Sequence, residues 1–349
     1  MYKIVFTGGG SAGHVIPNVA LIDELIKTGE ADIAYFGSDG IEKKLVASKK
    51  IPYFELAPPK LKRSLSAFTD NLKIPFIFSK AVKKAEEGLR AFSPDLVFSK
   101  GGYVALPVVF AAAKLGVPCI AHESDYSIGL ANRLSAKKCA SVLTSFPETA
   151  RKIRNGKFSG PPIRAELFAH SRSAAKRELC EGTSRKVILV FGGGSGSETL
   201  NEAVRKAAKR LTERYFILHV CGKGKTIDCR LKNYKQVEFI TDMGAAYACA
   251  DLVVSRAGAG TIFELLALKK PALLVPLEGQ TRGDQIENAA YFEKQGVCRI
   301  LKQGELKHLA EEIDAAILDE QLKRQLALFS YPLGNENLLH EIRELVKKQ

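Results

Sequence analysis

The stretch "KVILVFGGGSGSETLN", residues 186–201, repeats the plan of "YKIVFTGGGSAGHVIPN", residues 2–18. Each is a β-branched apolar run, then a glycine turn, then a helical pattern. A strand that feeds a helix through glycines is the opening unit of a parallel sheet covered by helices. Two such openings in one chain predict two such sheets. Outward from the first, "ADIAYFG", "PDLVFSKG" and "PCIAHES" read as strands, with "NVALIDELIKTG" and "AVKKAEEGLRAF" as helices between them. Outward from the second, "YFILHVCG", "VEFIT", "DLVVSRAG" and "PALLVP" read as strands. The chain of 349 residues is long enough for two domains. Adjacent prolines, Pro161 and Pro162, break both periodicities and place the join there. The expected domains are residues 1–160 and 161–334. An amphipathic helix over 335–349, entered after Pro332 and Gly334, is expected to return to the first domain. Ligands of such sheets bind at the carboxyl ends of the strands.

Composition narrows the classes. No run of 18 apolar residues occurs, so no membrane-spanning helix is expected. The first strand begins at once, with no basic, apolar and small-residue leader pattern before it. The seven cysteines are scattered and form no C-x-x-C pair, which argues against a disulfide framework or a zinc site and for a reducing cytoplasm. The net charge of +14 implies an anionic partner: nucleic acid, an anionic membrane or a phosphorylated substrate. No nucleic-acid-binding signature accompanies it, so no nucleic acid is expected.

Gly8, Gly10 and Gly13 match G-x-G-x-x-G, which taken alone reads as a dinucleotide site of an NAD(P)-dependent oxidoreductase. That reading needs an acid at the end of the second strand, and the nearest candidate, Asp39, lies too far on. What holds for any ligand is that glycines let backbone N–H groups approach an anion at a helix N-terminus. His14 ends this turn. It is either a structural hydrogen-bonder or a cleft-facing acid–base group. Residues 251–289 carry the other polar constellation. A strand ends at Ser255, "RAGAG" turns, and a helix starting at Thr261 would hold Glu264 in its first turn. A carboxylate there suits the cis-diol of a ribose. Gln285 and Asn288 share a helix face, and amides suit sugar hydroxyls because they both donate and accept.

With these motifs in this order, the sequence resembles MurG-type enzymes, which add N-acetylglucosamine to lipid I in peptidoglycan synthesis. The motifs are "GGSAGH" (9–14), Gly101-Gly102-Tyr103-Val104, "HESD" (122–125) and Pro162-Ile163-Arg164. They continue with Arg256, Gly258, Thr261 and Glu264, then Gln285, Asn288 and Ala289. The resemblance covers essentially the whole chain. It implies a GT-B glycosyltransferase: two Rossmann-like α/β domains facing across a cleft, with UDP-GlcNAc on the C-terminal one. It places Ile240 at the uracil and Glu264 at the ribose. Ala259, Gly260 and Thr261 would line the nucleotide, with Gln285 and Asn288 at the donor sugar and Arg164 near the diphosphate. Ser11, Ala12 and Gly13 would line the cleft near the donor sugar and the lipid I pyrophosphate. Three departures stand out: Ala12 for a glycine, Asp125 for the asparagine of many members, and Gly194 for a serine, with Ser195 next to it.

The reaction implied is a single inverting displacement by the muramyl C4 hydroxyl. His14 and Glu123 are the candidate general bases. No D-x-D motif is present, so fixed donors rather than a metal are expected to hold the diphosphate, and no cofactor is expected. A different lipid acceptor stays open as an alternative. Residues 60–90 carry eight Lys or Arg and three acids around "LKIPFIF", with Lys73 and Lys80 flanking Phe76 and Phe78. That pattern suits an anionic membrane surface, and the resemblance implies a peripheral protein at the cytoplasmic face of the cell membrane.

Overall fold

The computed structural model describes residues 1–59, 73–279 and 283–347. The chain divides into two compact units, Met1–Arg164 with Pro332–Gln349, and Ala165–Tyr331. In unit 1 the strands are β1 (Tyr2–Thr7), β2 (Ala31–Gly37), β3 (Tyr53–Glu55), β4 (Leu96–Ser99), β5 (Cys119–Glu123), β6 (Ser141–Thr144) and β7 (Gly156–Phe158). They form one sheet in the order β3-β2-β1-β4-β5-β6-β7. Every pairing is parallel, with Ile4 opposite Ile33 on one side and Leu96 on the other. Helices α1 (Ala12–Thr28), α2 (Ile41–Ala47), α3 (Ile74–Phe92), α4 (Ala105–Leu115), α5 (Leu130–Ser135) and α6 (Pro147–Arg151) connect them.

The two-residue period of β1 makes both layers. Ile4 and Phe6 enter a core with Leu21, Ile22 and Leu25 of α1. Val5 points the other way, into a core with Leu89 of α3 and Val108 of α4. A strand buried on both faces reads as a continuous apolar run, which is why "IVF", residues 4–6, shows no polar alternation.

Unit 2 repeats the plan. Its strands are β8 (Lys186–Phe191), β9 (Tyr215–Val220), β10 (Tyr234–Val237), β11 (Leu252–Ser255), β12 (Ala272–Leu274) and β13 (Arg299–Ile300). Their order is β10-β9-β8-β11-β12-β13. Its helices are α7 (Arg172–Leu179), α8 (Glu198–Leu211), α9 (Met243–Cys249), α10 (Ala259–Ala267), α11 (Asp284–Glu293), α12 (Leu309–Leu318) and α13 (Glu320–Leu328). The last helix, α14 (Asn335–Lys347), belongs to unit 1 and buries Leu338, Leu339, Ile342 and Val346 in the core beside α1. Each such side chain, fully buried, contributes about 1.5–3 kcal/mol. Arg343 adds a two-pronged ion pair to Glu30, at 2.9 and 2.6 Å.

Three expectations shift. Helix α1 starts at Ala12, before Pro17 rather than after it. Pro17 lies inside this helix and removes the N–H that would pair with the Gly13 carbonyl. Helix α3 starts at Ile74, not Ala81, and has Pro75 in its first turn. "VEFIT" is not a strand: β10 ends at Val237, because its pairing with β9 runs only from Tyr234 to Val237. Phe239 and Ile240 therefore lie in the following loop. Along α3, Phe76 is 77% exposed. Phe78 instead packs edge-on against Phe110 at 5.3 Å, so it does not belong to the outward face. The rest of the basic segment, residues 60–72, lies outside the described residues. Among the described residues no helix is long and apolar enough to cross a membrane.

Candidate active site

Strand order reverses between β1 and β4 in unit 1 and between β8 and β11 in unit 2. Crevices at the carboxyl ends of such strands are where open parallel sheets bind ligands. His14 and the Gly101–Tyr103 segment follow β1 and β4, and Gly194, Ser195 and the start of α10 follow β8 and β11, whereas Glu123 ends β5 and Gln285 and Asn288 lie on α11.

In unit 1, the turn after β1 leads into α1, and His14 stands in the first turn of that helix. Its Nδ1 lies 3.0 Å from Ser11 Oγ. Ser11 and Gly13 are exposed, Ala12 and His14 half-buried. The turn after β4 packs against this one. Gly102, at φ +79°, has no room for a side chain: a Cβ would lie 2.7 Å from Gly9 O and 3.2 Å from His14 Nδ1. A Cβ on Gly10 would meet the Tyr103 ring at 2.6 Å. The G-G-Y segment and the first turn thus form one surface around the imidazole. No acid ends β2, which closes on Gly37, so the ribose anchor of a dinucleotide site is missing there.

Glu123 has another occupation. It is buried at the end of β5. Its Oε1 accepts from Asp125 N–H at 3.0 Å, and its Oε2 accepts from Gly129 N–H at 2.7 Å and Asn132 Nδ2 at 3.0 Å. A carboxylate bound on both oxygens orders the 124–129 loop and is poorly placed to take a ligand proton. Asp125 is half-buried on that loop. Sequence reasoning missed Lys100, which directly follows β4 and is 2% exposed. Its ammonium donates to Ser124 Oγ at 2.7 Å. Burial pulls its pKa below that of an ordinary lysine, against the nearby charges of Glu123 and Asp125. The signal was a lysine set directly after an apolar strand, in "VFSKGG".

In unit 2, α10 begins at Ala259, two residues earlier than expected, because Gly258 takes the cap position. Glu264 is therefore past the first turn, not in it. Thr261 and Glu264 still share a face, three residues apart. Gly258 offers no side chain to the first N–H groups of α10, and a Cβ on Gly258 or Gly260 would meet no atom within 4 Å. This is an open helix N-terminus with room in front of it. Tyr247 O–H donates to Glu264 Oε2 at 2.8 Å and fixes the carboxylate.

Arg256, which the motif contained but sequence reasoning gave no role, braces the crevice. Its Nη2 donates to Ser197 Oγ at 2.7 Å, and its Nη1 to Val275 O and Pro276 O at 3.2 and 3.3 Å. It thereby ties the ends of β11 and β12 to the cap of α8. In the turn after β8, Gly194 and Ser195 are exposed, and a Cβ at Gly194 would meet nothing within 4 Å. Gln285 Oε1 accepts from Leu277 N–H at 3.0 Å, which orients the side chain and leaves its amide N–H groups to donate to a ligand hydroxyl. Asn288 is 0% exposed and Ile240 is buried, while Phe239 beside it is exposed. Arg164 is the last residue of unit 1 before the crossover. The polar loop before α11 falls partly on residues 280–282, outside the described residues. Among the described residues no three His, Cys, Asp or Glu side chains gather as a metal site.

Two doubly wound parallel sheets, each with a switch point at the carboxyl ends of its strands, are the architecture shared by glycosyltransferases of the GT-B class. Solved structures agree on the fold: MurG of Acinetobacter baumannii superposes with a TM-score of 0.74 at 24% identity, covering 99% of both chains. CalG4, the calicheamicin glycosyltransferase, gives a TM-score of 0.74 at 15% identity over 99% of this chain and 98% of that one. The glycosyltransferase family 28 N-terminal domain matches residues 4–144 and the family 28 C-terminal domain residues 187–344. A UDP-N-acetylglucosamine–N-acetylmuramyl-(pentapeptide) pyrophosphoryl-undecaprenol N-acetylglucosamine transferase of Clostridium perfringens is 40% identical over 99% of this chain and 98% of its own. The protein of that name from Clostridium kluyveri is 44% identical over 93% of this chain and 91% of its own. The chain belongs to glycosyltransferase family 28, among the MurG-type N-acetylglucosamine transferases.

Proposed function

We propose that this protein transfers N-acetylglucosamine from UDP-N-acetylglucosamine to the C4 hydroxyl of the muramyl sugar of lipid I, with inversion, giving lipid II for peptidoglycan synthesis. The observation that carries the reading is the open N-terminus of α10 with Thr261 and Glu264 on one face. Glu264, held by Tyr247, binds the ribose, and the N–H groups of Ala259, Gly260 and Thr261 meet the diphosphate. Ile240 lies against the uracil. Gln285 donates to a sugar hydroxyl, and Asn288, being buried, orders α11 behind it. Arg164 and the turn with Gly194 and Ser195 add positive potential where charge grows on the leaving diphosphate.

In the transfer, the C4 oxygen forms a bond to the anomeric carbon as the bond from that carbon to the UDP oxygen breaks. The bonding pair leaves with UDP, and the hydroxyl proton passes to a base. His14 is that base in this reading, since the Glu123 carboxylate is engaged in its loop. Ser11, Ala12 and Gly13 line the acceptor side, and Asp125 contacts the sugars. The exposed Phe76 and Ile77 of α3, with Lys73 and Lys80, rest on the anionic cytoplasmic face of the cell membrane, where lipid I is embedded. The test is transfer of labelled GlcNAc from UDP-GlcNAc to a lipid I analogue. One UDP released per disaccharide formed supports the reading. Donor binding without transfer to that acceptor contradicts it.

A further inference from the structure

Glu42 is 0% exposed, a carboxylate on the second residue of α2. Its Oε2 accepts from Gly10 N–H at 3.2 Å, across from the turn after β1. Its Oε1 accepts from Ser38 N–H at 2.9 Å and Ser38 Oγ at 2.5 Å, on the turn after β2. Glycines wall the box. A Cβ on Gly37 would come within 2.8 Å of Glu42 Cγ, and one on Gly40 within 2.8 Å of Oε2. A Cβ on Gly9 would strike the carboxylate as well. The spacing in "GSDGIE", residues 37–42, thus makes a cage for one carboxylate, and Gly9 closes it from the other turn. Two more bonds hold the start of the same turn: Tyr35 O–H donates to Gly8 O at 2.7 Å, and Asn18 Nδ2 donates to Thr7 O at 3.2 Å.

We propose that Glu42 is a positioning residue for transfer: its caged carboxylate fixes the glycine turn that carries Ser11 and His14. A glycine turn is the most pliable backbone in a protein, and three successive glycines, Gly8 to Gly10, would not by themselves hold an imidazole in one place. A base works only within hydrogen-bond reach of the proton it takes, so the turn needs an anchor. Glu42 supplies it from below. One consequence is that the Gly10 N–H, which the glycine pattern offers to a phosphate, is committed to protein. The inference rests on the reading of His14 as the base.

The test uses the full-length enzyme and Glu42→Gln. A glutamine keeps the shape but has one acceptor oxygen. With that oxygen on the Ser38 side, its NH2 group opposes the Gly10 N–H. The expected result is a kcat lowered about 10- to 100-fold, the range for a catalytic group displaced by up to about 1 Å. KM for UDP-GlcNAc and calorimetric affinity for UDP should stay as in wild type, since unit 2 is untouched. Ser38→Ala, which keeps both backbone donors, should retain kcat. Hydrogen exchange read by mass spectrometry on a peptide spanning residues 7–14 should show a protected turn in wild type and a faster one in Glu42→Gln. Unchanged kcat and unchanged exchange in a folded Glu42→Gln would overturn the proposal. So would a Ser38→Ala loss equal to that of Glu42→Gln. If Glu42→Gln does not fold, open-loop exchange of the wild-type turn would still overturn it. If instead His14→Ala retains full activity while the exchange arms come out as expected, it is the base reading that fails.

Discussion

Removing Glu264 is the sharpest test of the donor site. In Glu264→Ala the ribose loses a charged acceptor. Hydrogen bonds to charged groups are worth about 1.5–3 kcal/mol each, so UDP affinity should fall roughly 10- to 150-fold. Tyr247 adds a graded control. Its O–H reaches Glu264 Oε2 at 2.8 Å and sets the carboxylate's direction without being offered to the ligand. Tyr247→Phe keeps the ring, which lies 6.1 Å from that of Phe191, and removes one neutral donor. Its cost should be about 0.5–1.5 kcal/mol, or roughly 2- to 10-fold in UDP affinity. In the double variant Tyr247→Phe should add nothing to Glu264→Ala, because its effect runs through the carboxylate. Isothermal titration calorimetry with UDP gives all four numbers. Unchanged UDP affinity in Glu264→Ala would refute the assignment, and a larger loss from Tyr247→Phe than from Glu264→Ala would show that the tyrosine acts on the ligand by another route.

Gln285→Ala should leave UDP affinity near wild type and impair turnover of UDP-GlcNAc; equal losses for both ligands would place Gln285 away from the sugar. Phe76→Ser, and separately Lys73→Glu with Lys80→Glu, should each reduce sedimentation with anionic vesicles, and the lysine effect should fade as salt shortens the Debye length below about 8 Å. Phe78→Ser should instead lower stability through its contact with Phe110, and vesicle binding indifferent to Phe76 and the lysines would remove α3 from the membrane reading. Stability should depend on pH through His219, which burial and nearby Arg205 push down to about 4. The folded state then binds that proton more weakly than the unfolded chain. Stability is therefore full above about pH 6.5 and falls as pH drops toward 4, by up to about 3 kcal/mol. His122, lowered by burial and Lys100, acts in the same direction. Urea midpoints measured from pH 7.5 to 4.5 check this, and His219→Gln should flatten the slope.

What could be read from the sequence was what local pattern encodes. The runs "YKIVF" and "KVILVF" became β1 and β8, and the glycine turns behind them became the two switch points. The amphipathic spacing of Leu338, Ile342 and Val346 announced a returning helix, and α14 does pack on unit 1. The two units divide after Arg164 and Tyr331 rather than after residues 160 and 334. What could not be read depends on partners far apart in the chain. Glu123 looked like a free acid because Gly129 and Asn132 reach it only once β5 and α5 are packed. Glu42 drew no notice because its ligand, the Gly10 N–H, lies on another strand's turn. Arg256 looked like a motif letter until Val275 and Pro276 came beside it. Only the tertiary contact with Phe110 separates Phe78 from the outward Phe76, and the local sequence does not show that contact. Burial and hydrogen-bond commitment decide which polar residues remain for chemistry, and neither is a property of the local sequence.

As proposed above, His14 takes the proton of the attacking hydroxyl during GlcNAc transfer. The most direct measurement is kcat for GlcNAc transfer to a lipid I analogue at saturating UDP-GlcNAc, in His14→Ala beside Glu123→Gln. Loss of a general base costs about 10²–10⁴-fold. A loss of that size is expected in His14→Ala, with UDP affinity unchanged. Near-normal kcat in His14→Ala, with the large loss falling on a folded Glu123→Gln, would contradict it.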